Sequence, residues 1–242
     1  MKREVDDPRR KLLLRLLASG LLGADAMGVS PAFAQLLGDR PGKLPPGRSV
    51  YRVKGDVRVD GQRATLETHI APGARVVTGD DGELIYAVGD SAFIARARTE
   101  VLIEATKASS LLVAGYQLLR GKLLSVFGSG RPLRLRSSLA TIGIRGTGVY
   151  MESDPGQTYF CTCYGTTDVQ ATADAQSRTT VASTHHDRPL YILSGEPPGR
   201  NIRDAPFIDH TDQELMLIEA LVGRQPPFVF PRADYNAPRR TY

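Results

Sequence analysis

The chain has 242 residues, 41% hydrophobic and 24% charged, with 24 Gly and 16 Pro, proportions that exclude a low-complexity polymer or a disordered acidic tail and suffice for a buried core in one or two domains. Lys and Arg (31) exceed Asp and Glu (26), giving a net charge of +5 and a pI near 9.3. Two cysteines and no Trp exclude a disulfide-dense scaffold and a four-cysteine metal centre.

Six basic and four acidic residues fall in positions 1–34, so part of the net charge sits there and the remainder of the chain is only mildly basic. Arg9-Arg10-Lys11-Leu12-Leu13-Leu14 precedes a modestly apolar stretch, 16–27, which Gly20, Gly23 and Asp25 make too short and too broken to span a bilayer. Pro31-Ala32-Phe33-Ala34 then supplies an Ala-x-Ala exit. A basic start, a short apolar middle and a small-residue exit predict a secretory signal cleaved after Ala34, and the arginine pair resembles the twin-arginine type. An uncleaved amphipathic helix is the alternative. No other window is long enough to cross a membrane, so the mature chain is expected in the periplasm, and export argues against a nucleic-acid partner.

Residues 35–49, rich in Pro and Gly, read as an extended linker with order beginning near Val50. From there to about 169, short runs of Val, Ile, Leu, Thr and Tyr alternate with Gly-Asp, Asp-Gly and Pro-Gly punctuation, the pattern of an all-β domain placed at 50–200. Residues 50–53 and 55–61 read as a half-buried hairpin, followed by strands at 83–88, 91–95 and 99–105. The leucine-rich segment 111–128 contains Gly115, Gly121 and Gly128, which predicts two strands joined at Arg120-Gly121 rather than a helix. Residues 170–182 are small and polar, expected to form a hairpin tip turning at Ala173-Asp174-Ala175, and strand character resumes at 188–193. Thr211-Asp212-Gln213-Glu214 has capping-box spacing, and Leu215, Ile218 and Val222, with Leu217 and Leu221, give one helical apolar face that Gly223 ends. Residues 201–230 thus form a helix and extension, and 231–242 a loose basic tail.

The stretch 132–152, containing Ser138-Leu139-Ala140-Thr141-Ile142-Gly143-Ile144-Arg145-Gly146-Thr147-Gly148-Val149-Tyr150, resembles the core signature of the FecR-domain family. Ala71-Pro72-Gly73-Ala74-Arg75-Val76-Val77-Thr78-Gly79, Gly82-Glu83-Leu84 and Gly89-Asp90-Ser91-Ala92-Phe93-Ile94 are similar to the rest of the pattern in the same order, over about half the chain. The resemblance implies a periplasmic all-β domain, a FecR-like wrapped sandwich or solenoid of short strands with the C-terminal α-helix added. It also implies a role like that of members that sense iron-siderophore signals and relay them through a membrane helix to a sigma factor. This chain shows no membrane helix or cytoplasmic N-terminal domain, so the relay does not carry over directly. Arg145, Gly146 and Thr147 are expected to be a structural turn.

Tyr159-Phe160-Cys161-Thr162-Cys163-Tyr164-Gly165 stands where that family pattern has a plain strand. Residues two apart on a strand share a face, so both sulfurs sit side by side. A turn centred on Asp174 brings residue 185 opposite Cys163, placing His185 and His186 beside the thiols. Cys161, Cys163, His185 and His186, with His210 as a possible further imidazole, form a donor set that zinc, iron or copper accepts. A disulfide and unremarkable thiols are the alternatives, and His69 reads as a surface residue. Three functions follow: a non-catalytic domain binding a periplasmic protein or small ligand, as in iron or envelope signalling; a metal- or redox-binding protein; and a redox or metal-dependent enzyme. No Ser-His-Asp constellation, phosphate loop or His-Glu-x-x-His supports the enzyme, and only Asp187 and Glu152 stand near the cluster as acid or base. A closed set of four ligands argues for a structural metal and three ligands in a cleft for chemistry.

Overall fold

In the computed structural model the described residues are 42–106, 112–130 and 132–228. The expected export signal and basic tail lie outside them. Among the described residues the all-β expectation holds: fourteen strands share one hydrogen-bonded sheet and one α-helix follows. The strands are β1 (Val50–Lys54), β2 (Val57–Val59), β3 (Gln62–Arg63), β4 (Arg75–Thr78), β5 (Glu83–Val88), β6 (Ser91–Ala95) and β7 (Glu100–Ala105). Then come β8 (Val113–Val126), β9 (Leu133–Arg136), β10 (Ala140–Asp154), β11 (Gln157–Ala171), β12 (Asp174–Ser183), β13 (Leu190–Leu193) and β14 (Ile202–Asp204), before helix α1 (Asp212–Leu221). The main path runs β14-β13-β11-β10-β9-β8-β7-β4-β2-β3, with β6, β5 and β1 branching from β8 and β12 pairing with β11.

Several local expectations change once tertiary pairing is present. β1 does not form a hairpin with β2; it pairs with β5, while β2 pairs with β3 and β4. The 111–128 segment contains one fourteen-residue strand, not two. Gly121 lies within it at φ +88°, and the residues before it pair with β7 while those after it pair with β6 and β10. A Cβ there would lie 2.6 Å from the Arg98 carbonyl oxygen, so glycine permits a corner at which the strand changes partners. Arg145-Gly146-Thr147 is likewise no turn: β10 runs through it with register shifts between Arg145 and Val149, Gly146 taking φ +58° in the manner of a bulge. Residues 42–49 are less idle than a linker, since the Leu44 N–H donates to the Leu221 carbonyl (2.9 Å) and Ser49 is buried.

Two buried clusters divide along the strand period of two. Tyr86, Phe93, Leu123, Val149, Met151 and Phe160 point into the larger, which draws on strands throughout the sheet. Their neighbours Ile85, Ile94, Leu124, Tyr150, Cys161 and Cys163 point to the opposite face, which Leu215, Ile218 and Leu221 of α1 cover. The strands at the centre are therefore buried on both faces, explaining why β6 and most of β10 and β11 show no polar face. Thr211 caps α1 as expected: the Glu214 N–H donates to its Oγ1 and the Thr211 N–H donates to Glu214 Oε2. Arg96 fastens this end to the sheet, donating to both Glu214 oxygens (3.1 Å each) and to the Asp209 carbonyl (2.6 Å).

Candidate metal centre

Cys161 and Cys163 occupy alternate positions of β11 on the face beneath α1, both 0% exposed and both free thiols. The expected β11–β12 register holds from Gly165↔Ser183 to Gln170↔Arg178. It ends there because β12 stops at Ser183; the turn itself lies one residue earlier than expected, with Asp174 opening β12. Beyond Ser183 the chain bends and the His186 N–H, not that of His185, donates to the Cys163 carbonyl (2.9 Å). His186 takes φ +55°, a left-handed conformation costly for a side chain with a Cβ, and the bend is braced by Asp187 Oδ2, which accepts from the Thr184 N–H and hydroxyl. His210 arrives from the segment before α1, just after Asp209 at φ +58°.

These four residues converge. His186 Nδ1 lies 3.5 Å from Cys161 Sγ, His210 Nε2 lies 3.3 Å from Cys163 Sγ, and the two nitrogens are 3.2 Å apart. All four donor atoms lie within 4.8 Å of one another and all four residues are buried. A zinc ion with ordinary Zn–N and Zn–S bonds in a tetrahedron separates two nitrogens by about 3.3 Å and a nitrogen from a sulfur by about 3.5 Å. The three shortest separations, 3.2, 3.3 and 3.5 Å, lie close to those values.

The outward nitrogens are already committed. His210 Nδ1 is 2.7 Å from the Ile208 carbonyl oxygen, which can only accept, so the ring's hydrogen sits on Nδ1 and Nε2 presents a lone pair inward. His186 Nε2 is 2.9 Å from Asp212 Oδ1, so it donates to a carboxylate that is itself 0% exposed at the first turn of α1. Acceptors that hold the far nitrogen in this way orient metal-ligating imidazoles and fix their tautomer. Aromatic walls hold the rings: Tyr150 stacks on His210 (4.5 Å), and Phe207 contacts both His186 (4.3 Å) and His210 (4.5 Å).

The proton inventory of the metal-free cluster follows from the same contacts. Burial works against charge on Cys161, yet hydrogen bonds with Cys163 and His186 hold its thiol well below the usual cysteine range. Burial, reinforced by the neighbouring sulfur, pushes the Cys163 thiol well above it. Burial likewise opposes charge on His186, but Asp212 and Cys161 outweigh it and raise that imidazole to about 9. In the metal-free cluster negative charge is therefore favoured on Cys161 and positive charge on His186, while Cys163 holds its proton toward His210 Nε2.

The expected donor set is thus corrected at one position. His185 is not in the inner group: its side chain is 43% exposed and its Nε2 bonds Asp212 Oδ2 at 2.7 Å. His210, the secondary choice from sequence, takes its place. Asp212 was not anticipated, although its position at the start of α1, two residues after His210, is a signal that could have drawn attention to it. Glu152 accepts from Tyr150 (2.6 Å) and pairs with Lys122 (3.2 Å), and Asp187 caps its own loop, so neither carboxylate turns to the thiols. Arg145 is exposed and lies 3.9 Å from Asp168, while Thr147 is buried beside Gly165. His69 is exposed, as expected of a surface residue, with its Nδ1 3.5 Å from the Ser49 hydroxyl.

No family model matches the chain, and no curated protein is similar to it. Two crystal structures of a candidate anti-sigma factor from Parabacteroides distasonis are similar in part. Both are 11% identical; one covers 54% of this chain and 58% of the other at a TM-score of 0.43, and the second covers 62% and 59% at 0.42. The chain spans under two thirds of the length of either. A likeness of this extent fixes neither family nor function, and the FecR resemblance rests on its motif residues.

Proposed function

We propose that this is an exported, non-catalytic domain of FecR-like type that carries a structural zinc ion on Cys161, Cys163, His186 and His210 and serves a periplasmic protein or small ligand as a binding module. The observation that carries the metal assignment is the convergence of two imidazole nitrogens and two sulfurs, three of whose separations fall near tetrahedral edge lengths, with both outer nitrogens committed to Ile208 and Asp212. Without a cation, His186 must keep a proton at the centre to separate the two nitrogens; a metal ion satisfies all four donors at once. Zinc suits the set better than a hard cation because two of the donors are thiolates.

The centre is closed. On this reading four protein donors supply a whole tetrahedral set, each imidazole's outer nitrogen has an acceptor, and the donor residues are buried, the arrangement of a structural rather than a catalytic zinc. A thiolate beside an imidazolium is also the arrangement of an activated nucleophile, but Cys161 is 0% exposed beneath α1, which leaves a substrate no approach. The motif resemblance and the expected signal peptide support the regulatory, periplasmic part of the reading.

The test is metal content. Mature protein purified from zinc-replete cells should hold one zinc per chain by mass spectrometry under native conditions. Cys163→Ser and His210→Ala should lose it, and His69→Ala should keep it. A metal-free native protein whose stability is unaltered by Cys163→Ser would refute the assignment.

A further inference from the structure

A closed centre raises the question of how the ion reaches it. Cys161, Cys163 and His210 are 0% exposed and the His186 side chain 6%, so no inner donor meets solvent on its own. One line of donors does connect them to the surface. Asp212 holds an imidazole on each carboxylate oxygen, His186 Nε2 on Oδ1 at 2.9 Å and His185 Nε2 on Oδ2 at 2.7 Å. These three ligand atoms also lie within 4.8 Å of one another, and His185, 43% exposed, opens the group to water.

His186 belongs to both groups through opposite edges of one ring: Nε2 faces the outer triad and Nδ1 the inner cluster. Two imidazoles and a carboxylate form a donor set for a divalent transition ion. The outer triad differs from the inner centre in having three ligands, no sulfur and one exposed member, which makes it the weaker and faster-exchanging of the two. Stripping an ion of its water in one step is costly, whereas replacing water by protein ligands in stages lowers that cost.

We propose that His185, Asp212 and His186 form a transient loading site through which a divalent metal ion passes to and from the buried Cys161, Cys163, His186 and His210 centre. The inference rests on the zinc reading above. On loading, the ion takes the places of the protons between the two imidazoles and Asp212. When it moves inward it displaces the His186 Nδ1 and Cys163 protons, and the outer imidazoles regain theirs. The net exchange is one divalent ion inward for two protons released to solvent. His185 touches the ion only in transit and is absent from the final coordination shell.

Stopped-flow loading of the metal-free full mature chain with cobalt(II) tests this, because tetrahedral cobalt bound to two thiolates has a characteristic visible and near-ultraviolet spectrum. Expected for His185→Ala is a tenfold or greater slowing of both uptake and chelator-driven release, with an unchanged final spectrum and equilibrium affinity. His185→Asp, which restores a ligand, should recover most of the wild-type rate, a rescue that a purely structural role for His185 would not produce. Loading of His185→Ala at the wild-type rate, or loss of affinity in proportion to rate, overturns the proposal while leaving the buried centre standing. Failure of the wild-type chain to bind cobalt or zinc at all overturns the zinc reading itself, and the loading site with it.

Discussion

His186 concentrates the residue-scale physics of this protein. Its φ of +55° is a strain of roughly 1–2 kcal/mol for a residue bearing a Cβ, and such strain persists only where surrounding contacts over-determine it. Here the Cys163 carbonyl holds its backbone, Asp212 its Nε2, and Phe207 its ring. The protonation states it shares with Cys161 and Cys163 make a quantitative prediction. Below about pH 9 metal binding must displace two protons, one from His186 and one from the Cys163 thiol, whose pKa is higher still. Apparent zinc affinity should therefore rise with pH by about two powers of ten per unit in that range, and less steeply above it. Competition with a chromophoric chelator at pH 6.5, 7.5 and 8.5 measures this, and a flat profile contradicts the assigned protons. The metal-free pair behaves differently: the Cys161 thiolate and the His186 imidazolium form together, so folding takes up no net proton from them between about pH 6.5 and 9.

Helix α1 shows how an element of ten residues, too short to be stable alone, is held in place. Leu215, Ile218 and Leu221 cover the sheet, Glu214 pairs with Arg96, and Glu219 accepts from the Tyr164 hydroxyl and from Arg224 (2.7 Å). On the zinc reading, Asp212 and the adjoining His210 add a further clamp at the N-terminal end. Chelation of the metal should increase amide exchange across residues 212–221 selectively, with little change in the β6 and β8 amides of the core, as hydrogen-exchange mass spectrometry would show; equal protection with and without metal contradicts the clamp. Leu215→Ala should destabilise the fold by about 2–5 kcal/mol and weaken metal retention, because it loosens the same helix.

The capping box and the Leu215 and Ile218 spacing made α1 legible in the sequence, since both are local rules of helix geometry. Its buried partners were not legible, because Ile85, Ile94 and Leu124 come from strands more than ninety residues earlier. Cys161 and Cys163 share a face by the period of two, and the β11–β12 register was open to arithmetic from the polar tip as far as Gly165. Where β12 ends, that arithmetic ceases to apply, and the bend at His186 reversed the roles assigned to His185 and His210.

At the scale of the whole molecule, one sheet with two buried faces joins what the sequence presents as separate short strands. Gly121 and Gly146, both at positive φ, let β8 and β10 change partners or shift register without stopping. The expectation that the arginine pair Arg9-Arg10 directs export can be checked separately. Replacing Arg9 and Arg10 by Lys should leave precursor in the cytoplasm of a Gram-negative host, by cell fractionation and mass of the N-terminus; undiminished export would point to a different route.

By itself the sequence determined the all-β class, the edges of β5 and β6, the capped helix and the pairing of the two sulfurs, because each depends on local periodicity, turn chemistry or a cap. Only the tertiary structure decided that His210 rather than His185 completes the centre and that Asp212 joins the buried donors to the surface. Those contacts bring together residues 24 to 47 positions apart across a strand end and a helix start, where no local period extends and packing of α1 on the sheet sets the geometry.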